Sequence, residues 1–144
     1  MNTHSNTVWC LDLDGNIFCS VSEDKDLILY EFNEEVEKIK VMKIMGGIHK
    51  RPVYSVSILN GIIVTGGGDN SISVFCYYMN DGKIKVELVE NIIGAHGEDI
   101  NCVILLHDYE LISLKKCLGG RLFASCADDG EVKIWQLISE MSEL

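Results

Sequence analysis

The 144 residues carry 12 Lys and Arg against 22 Asp and Glu, a formal charge of −10, which argues against a surface that tracks nucleic-acid phosphates. With 47% hydrophobic residues the chain has too much apolar material for a disordered tail, and its length suffices for one domain with a sizeable core. One proline against 13 glycines points to turns made by Gly rather than to Pro-rich linkers.

In chain order, the first elements are short strands at Val8–Leu13, Ile17–Ser22 and Leu27–Phe32, separated by turns at Asp14-Gly15-Asn16 and Asp24. Residues 34–45 are ambiguous: Val36, Ile39, Met42 and Met45 also suit one face of a helix, and the repeat described below favours a strand. A second set of three strands turns at Asn60-Gly61 and Asp69-Asn70. It is followed by a strand in which Ile84, Val86 and Leu88 alternate with Lys83, Lys85 and Glu87. That alternation is the pattern of a half-wet outer strand, and its lysines discourage edge-to-edge pairing. A third set turns at Gly119-Gly120 and Asp129-Gly130 and ends in Val132 and Ile134 alternating with Glu131 and Lys133. Gly and Asn tolerate the positive φ of tight hairpins, so these dipeptides have a mechanical reason to stand there.

The three sets are copies of one unit. Each opens with a histidine (His4, His49, His96) and has a β-branched residue four places on (Val8, Val53, Ile100). Each has an Asp six residues before an aromatic: Asp24 and Tyr30, Asp69 and Phe75, Asp129 and Trp135. Four residues before that Asp stands a hydroxyl: Ser20, Thr65, Ser125. From His to aromatic the spacing is 26 in the first two copies and 39 in the third, which therefore carries an insertion at about 107–119. The units run over about 4–45, 46–93 and 94–138, with a short tail at 139–144. Four antiparallel strands per unit at this period is an all-β propeller pattern.

Other chemistries fit less well. Asp12, Asp14, Asn16 and Glu23 match four ligand positions of a calcium loop, but Ile17 stands where that loop needs Gly. Gly66-Gly67-Gly68 lacks the Lys-Ser/Thr of a phosphate cradle. Pairings of His96 with Cys102, or His107 with Cys117, suggest a nucleophile, yet the histidines at 4, 49 and 96 recur with the repeat and read as scaffold. The six cysteines contain no C-x-x-C pair, and five lie in or beside apolar runs, which reads as buried thiols in a reducing compartment. The longest uncharged stretch, residues 53–68, is 16 long and broken by Asn60-Gly61, short of the roughly 20 residues of a spanning helix. The start MNTHSNTVWC is neither basic nor apolar, unlike a signal peptide. No catalytic residue, metal, cofactor, nucleic acid or membrane partner is expected.

Gly94-Ala95-His96 and Lys133-Ile134-Trp135 resemble the Gly-His and closing Trp dipeptide of the WD40-repeat family, with Gln136 in place of the usual Asp. The resemblance implies a structural tetrad of His96, Ser125, Asp129 and Trp135. It implies partial sets, and softer blades, at His4, Ser20, Asp24 with Tyr30 and at His49, Thr65, Asp69 with Phe75, where the indole is missing. GAHGEDINCV with ASCADDGEVKIW, together with HSNTVW and HKRPVYSV, resembles the last three repeats of the WD-repeat subfamily of cytosolic iron–sulfur cluster assembly. Two departures stand out: the insertion, and Ile104-Leu105 where that subfamily tends to place a Trp-containing strand end.

That likeness implies a non-enzymatic scaffold of the iron–sulfur targeting complex, in cytoplasm and nucleus. Its partners would be a small acidic-loop adaptor, a helical-repeat scaffold and the apoproteins that receive clusters. The alternative is a WD40 scaffold of another complex, in ubiquitin ligation, ribosome assembly or signalling. Exposed loop residues that the repeat does not explain are the candidate interaction surface: Lys50, Arg51, Glu98 and, in the insertion, Asp108, Lys115 and Lys116. Eleven strands make two blades and three quarters of a third, an incomplete propeller whose last blade lacks its outer strand. Such an array is expected to be a fragment, or to need missing blades or a second chain to close a ring.

Overall fold

A computed structural model describes residues 3–106 and 121–137. The insertion, with Asp108, Lys115 and Lys116, and the tail at 139–144 lie outside the described residues, as do His107 and Cys117. The described chain is all-β: β1 (Val8–Asp14), β2 (Ile17–Ser22), β3 (Leu27–Asn33), β4 (Lys38–Met45), β5 (Val53–Leu59), β6 (Ile62–Gly67), β7 (Ile72–Asn80), β8 (Lys83–Ile92), β9 (Ile100–Leu105), β10 (Arg121–Ala127) and β11 (Val132–Leu137). They form antiparallel meanders of four, four and three strands: β1-β2-β3-β4, β5-β6-β7-β8 and β9-β10-β11. The architecture is that of an incomplete propeller. The ambiguous segment is resolved as β4. Its alternative helical face is overruled because Leu27, Leu29 and Tyr30 of β3 offer a free edge that Met45, Lys43 and Val41 pair along.

The meanders are held by their turns. Asp14 and Ile17 close the first hairpin as a Cα pair, with Gly15 at φ 63°, a conformation that costs a side-chain-bearing residue. Strand β5 lies between β1 and β9 and contacts both, and each sheet runs from there out to its own edge.

Two cores fill the spaces between sheets. Cys19, Val21, Leu27 and Leu29 of the first sheet pack on Val53, Val56, Ile58, Ile63, Phe75 and Ile84 of the second. The other face of the second sheet, with Val64, Ile72 and Val74, packs on Ala95, Ile100, Val103, Leu105 and Phe123. Strand alternation makes this possible, since Ile63 and Val64 are neighbours in β6 yet serve opposite cores. The second sheet is therefore covered on both faces. The outer face of the first sheet leaves Leu11 and Leu13 more than 60% exposed, and the last sheet leaves Val132 and Ile134 likewise.

Candidate functional site: histidine–aspartate clamps and the loops they hold

Each unit places its histidine in the segment entering its first strand, its hydroxyl in the middle strand and its Asp in the following turn. The spacing has a geometric reason. Tyr30 is the cross-strand partner of Phe18, Phe75 of Ile63 and Trp135 of Phe123, each two residues before the hydroxyl. Two residues along a strand return to the same face, so hydroxyl and aromatic lie diagonally on one face.

In the third unit the four side chains form one chain of donors. Trp135 Nε1–H donates to Ser125 Oγ at 2.8 Å, Ser125 Oγ pairs with His96 Nε2 at 2.7 Å, and His96 Nδ1 pairs with Asp129 Oδ2 at 2.9 Å. For a neutral imidazole, proton accounting leaves one arrangement. The indole can only donate and the carboxylate can only accept, so the hydroxyl donates to Nε2 and the proton sits on Nδ1. His96 is buried, and both its ring nitrogens are satisfied.

The first unit corrects the sequence expectation of a partial set. Its His4 Nδ1 meets Asp24 Oδ2 at 3.0 Å and its Nε2 meets Ser20 Oγ at 2.7 Å. The Tyr30 hydroxyl then reaches Ser20 Oγ at 3.1 Å and is itself held by Thr3 Oγ1 at 2.7 Å. A phenol O–H supplies the donor that an indole would, so this set is closed.

Only the second unit is open at that end, because Phe75 has no donor. There His49 Nδ1 meets Asp69 Oδ1 at 2.9 Å and Nε2 meets Thr65 Oγ1 at 2.8 Å. An added contact compensates: Ser71 Oγ donates to Asp69 Oδ1 at 2.6 Å and lies 3.0 Å from His49 Nδ1.

The repeat spacing did not reveal a further regularity. Every turn Asp also accepts two backbone N–H groups, from the residue after the histidine and from two residues beyond itself. Asp129 takes Gly97 at 2.8 Å and Glu131 at 2.9 Å; Asp69 takes Lys50 at 2.7 Å and Ser71 at 3.2 Å; Asp24 takes Ser5 at 2.8 Å and Asp26 at 3.1 Å. One carboxylate thus ties the incoming loop to the turn. Burial opposes ionisation at Asp129, but the N–H groups of Glu131 and Gly97, and then the His96 ring, outweigh it and hold the carboxyl down at about 2. Asp69 and Asp24 are lowered against burial in the same way, by Ser71, Lys50 and His49 and by Ser5, Asp26 and His4.

The loops so held carry the candidate interaction residues. Lys50 and Arg51 follow His49, Glu98 follows His96, and all three are exposed. Because both loops lead into a unit's first strand, they occupy the same end of the array. Arg51 reaches Asp99 of the next loop at 3.6 Å. Sequence reasoning missed Trp9. It is 51% exposed and packs edge-on against Tyr54 with ring centroids 5.5 Å apart, joining β1 to β5.

The rival chemistries meet residues already committed. Asp12 Oδ2 accepts the Ser57 hydroxyl at 3.1 Å and the Ile58 N–H at 2.8 Å; Asp14 Oδ2 accepts the Asn60 N–H and the Tyr77 hydroxyl, the latter at 3.1 Å. These carboxylates tie the first sheet to the second. Burial, then the Asp14 charge, pushes the Tyr77 hydroxyl up to about 12. The triple glycine is a packing device: a Cβ on Gly66 would stand 2.6 Å from Ile100 Cγ2, and one on Gly67 would stand 2.8 Å from the Pro52 carbonyl. The trio His96, Asp129 and Glu131 brings metal-type donors together, but Glu131 pairs with Lys133 Nζ at 2.9 Å and both His96 nitrogens are occupied. For the same reason His96 has no nitrogen left to act as a base for Cys102.

Cys102 itself is a correction, since it is exposed rather than buried. It lies on the open side of the last sheet with Ile104, Ala124 and Val132. Partial desolvation, then Cys126 opposite it, raises its thiol above the usual range, which is the wrong direction for a nucleophile at neutral pH.

Comparison with known proteins agrees with this architecture. The family "WD domain, G-beta repeat" matches residues 1–31 and 89–136. The probable cytosolic iron-sulfur protein assembly protein CIAO1 homolog of Dictyostelium discoideum is 33% identical over 109 residues, 74% of this chain and 29% of that protein. The probable cytosolic iron-sulfur protein assembly protein 1 of Candida albicans is 29% identical over 170 aligned positions, 95% of this chain and 41% of that protein. Protein CIA1 of Arabidopsis thaliana is 35% identical over 101 residues, 67% of this chain and 26% of that protein. The chain thus spans well under half the length of the curated relatives it matches. Meanders of matching strand order, His–Asp clamps in all three and the family match agree: the chain belongs to the WD40-repeat family.

Proposed function

We propose that this chain is a non-catalytic docking part of the cytosolic iron–sulfur assembly machinery, acting in its targeting complex and helping to hand clusters to apoproteins in cytoplasm and nucleus. The observation that carries the reading is the set of clamped loops. Each turn Asp fixes the loop entering a unit's first strand through a backbone N–H, so Lys50, Arg51 and Glu98 are presented on rigid supports, as a docking surface needs. The names of the Dictyostelium and Candida relatives, cytosolic iron-sulfur protein assembly proteins, support that pathway. Trp9, half exposed beside Tyr54, is the aromatic anchor of that surface, since aromatic and Arg side chains dominate binding hot spots. The repeat units in this reading are 4–45, 46–93 and 94–138. Its partners are a small adaptor, a helical-repeat scaffold and the client apoproteins, and the chain ligates no cluster itself.

The test is affinity capture from the source cell with the tagged chain, beside a Trp9→Ala/Arg51→Ala variant. Recovery of the targeting-complex subunits, reduced in the variant, is the expected outcome. Recovery of ubiquitin-ligase or ribosome-assembly subunits instead would assign the chain to a different WD40 scaffold.

A further inference from the structure

The two junctions between sheets inside the chain are built from the same repeat positions and have the same direction. On the leading side stand the residues flanking the strand hydroxyl, the residue before the aromatic and the third residue after the turn Asp. In the first sheet these are Cys19, Val21, Leu29 and Leu27; in the second they are Val64, Gly66, Val74 and Ile72. On the receiving side stand Val53, Val56, Ile58 and Ile63 of the second sheet, and Ile100, Val103, Leu105 and Phe123 of the third.

Each open face carries one half of that junction. On the first sheet Val8, Leu11, Leu13 and Phe18 precede Val53, Val56, Ile58 and Ile63 by the interval that separates His4 from His49. The register repeats too: Leu13 stands opposite Phe18 and Phe18 opposite Tyr30, as Ile58 opposite Ile63 and Ile63 opposite Phe75. This face is a receiving side with nothing on it: Leu11 and Leu13 are 64% and 62% exposed, their counterparts Val56 and Ile58 3% and 2%. On the third sheet Ala124 and Cys126 flank Ser125, Ile134 precedes Trp135, and Val132 is the third residue after Asp129. Ala124 pairs with Ile134 and Cys126 with Val132, so the four share one face, and it is a leading side.

We infer that the third sheet of one copy packs on the first sheet of a second copy, head to tail, in the manner of the internal junctions. Like faces have no such fit, because neither internal junction joins two leading or two receiving sides. Two copies of three sheets joined at both ends bring six sheets together, within the roughly four to eight of propellers, so the contact closes with two chains. The internal junctions also carry hydrogen bonds: Asp12 accepts the Ile58 N–H at 2.8 Å, and the Ser57 hydroxyl accepts the Leu105 N–H at 3.1 Å. Ile104 stands at that place in the third unit, so the junction between copies is apolar. This inference rests on the repeat architecture and not on the iron–sulfur role proposed above.

The experiment is sedimentation velocity on the full 144-residue chain and on two variants, Leu11→Lys/Leu13→Lys and Val132→Lys/Ile134→Lys. At about 100 µM the wild-type chain is expected to sediment as two copies, and about 0.5 M salt should not weaken the pairing. Each variant by itself should sediment as one copy, because each has lost one of the two sides. An equimolar mixture of the variants should restore pairs, joined through the one junction whose two sides are both intact. Where a lysine pair unfolds the chain by circular dichroism, Thr at the same positions takes its place, with the same pattern expected. A monomeric wild-type chain, wild-type assemblies larger than two copies, pairing of either variant by itself, or a mixture that stays monomeric would each overturn the inference.

Discussion

At the scale of single residues, the closing position of each clamp is decided by one donor. Ser20 Oγ already gives its proton to His4 Nε2, so it needs a donor from outside, and the Tyr30 hydroxyl at 3.1 Å is that donor. Tyr30→Phe would convert the first clamp to the open form of the second, without the Ser71-type contact that compensates there. It should cost about 1 kcal/mol in chemical denaturation. A loss indistinguishable from zero would show that the phenol contributes packing alone. The carboxylates set an acid limit. Asp24, Asp69 and Asp129 all have folded-state pKa values below the ordinary 3.8, so their contribution is complete above that value and disappears as pH falls through the folded pKa. Thermal melts should therefore show midpoints falling steeply between about pH 4 and about pH 2, and Asp129→Asn should flatten the lower part of that fall.

At the scale of elements, the junctions between sheets depend on small residues and on acids that serve the neighbouring sheet. A Cβ at position 66 would press on the Ile100 and Val103 side chains, which can shift, whereas at position 67 it would meet a backbone carbonyl, which cannot. Gly67→Ala should therefore lose more stability than Gly66→Ala, by roughly 1–3 kcal/mol in equilibrium unfolding; the reverse order would show that the loop before β5 yields more readily than the β6–β9 contact. At the other junction, Asp14→Asn removes the charge that faces the Tyr77 hydroxyl. The Tyr77 titration, followed by ultraviolet absorbance, should move down from about 12 but stay above the ordinary 10.0, since burial is the larger cause. An unmoved midpoint would mean that Asp14 does not lie against that hydroxyl in solution.

At the scale of the whole molecule, the second sheet is packed on both faces while the first and third each leave one apolar face open. Val8, Leu11 and Leu13 stand on one, and Ile104, Val132 and Ile134 on the other. Exposed apolar area of this kind drives association. In the isolated chain, Leu13→Lys with Ile134→Lys should raise the concentration at which light scattering detects association, with a change in melting temperature of no more than a few degrees. A large fall in melting temperature would mean that these side chains are buried in solution.

The repeat was legible because it is written in local offsets: His to β-branched residue, hydroxyl to Asp, Asp to aromatic. Those offsets follow from strand alternation and hairpin length, which are properties of the chain over a few tens of residues. They suffice for the three meanders, their strand count and the membership of each clamp. What the sequence could not disclose is which side chains meet, or stay uncovered, in space. Asp12 and Asp14 look like loop acids until β5 and β7 are seen beside them. Tyr30 looks like a lost indole until its hydroxyl is placed against Ser20. Cys102 looks buried until its face of the last sheet is seen to be open. In sum, local geometry is encoded by spacing along the chain, so the sequence alone determined the units. Contacts between sheets depend on which faces meet in space, so only the tertiary structure decided what binds the units together and where they leave surface free.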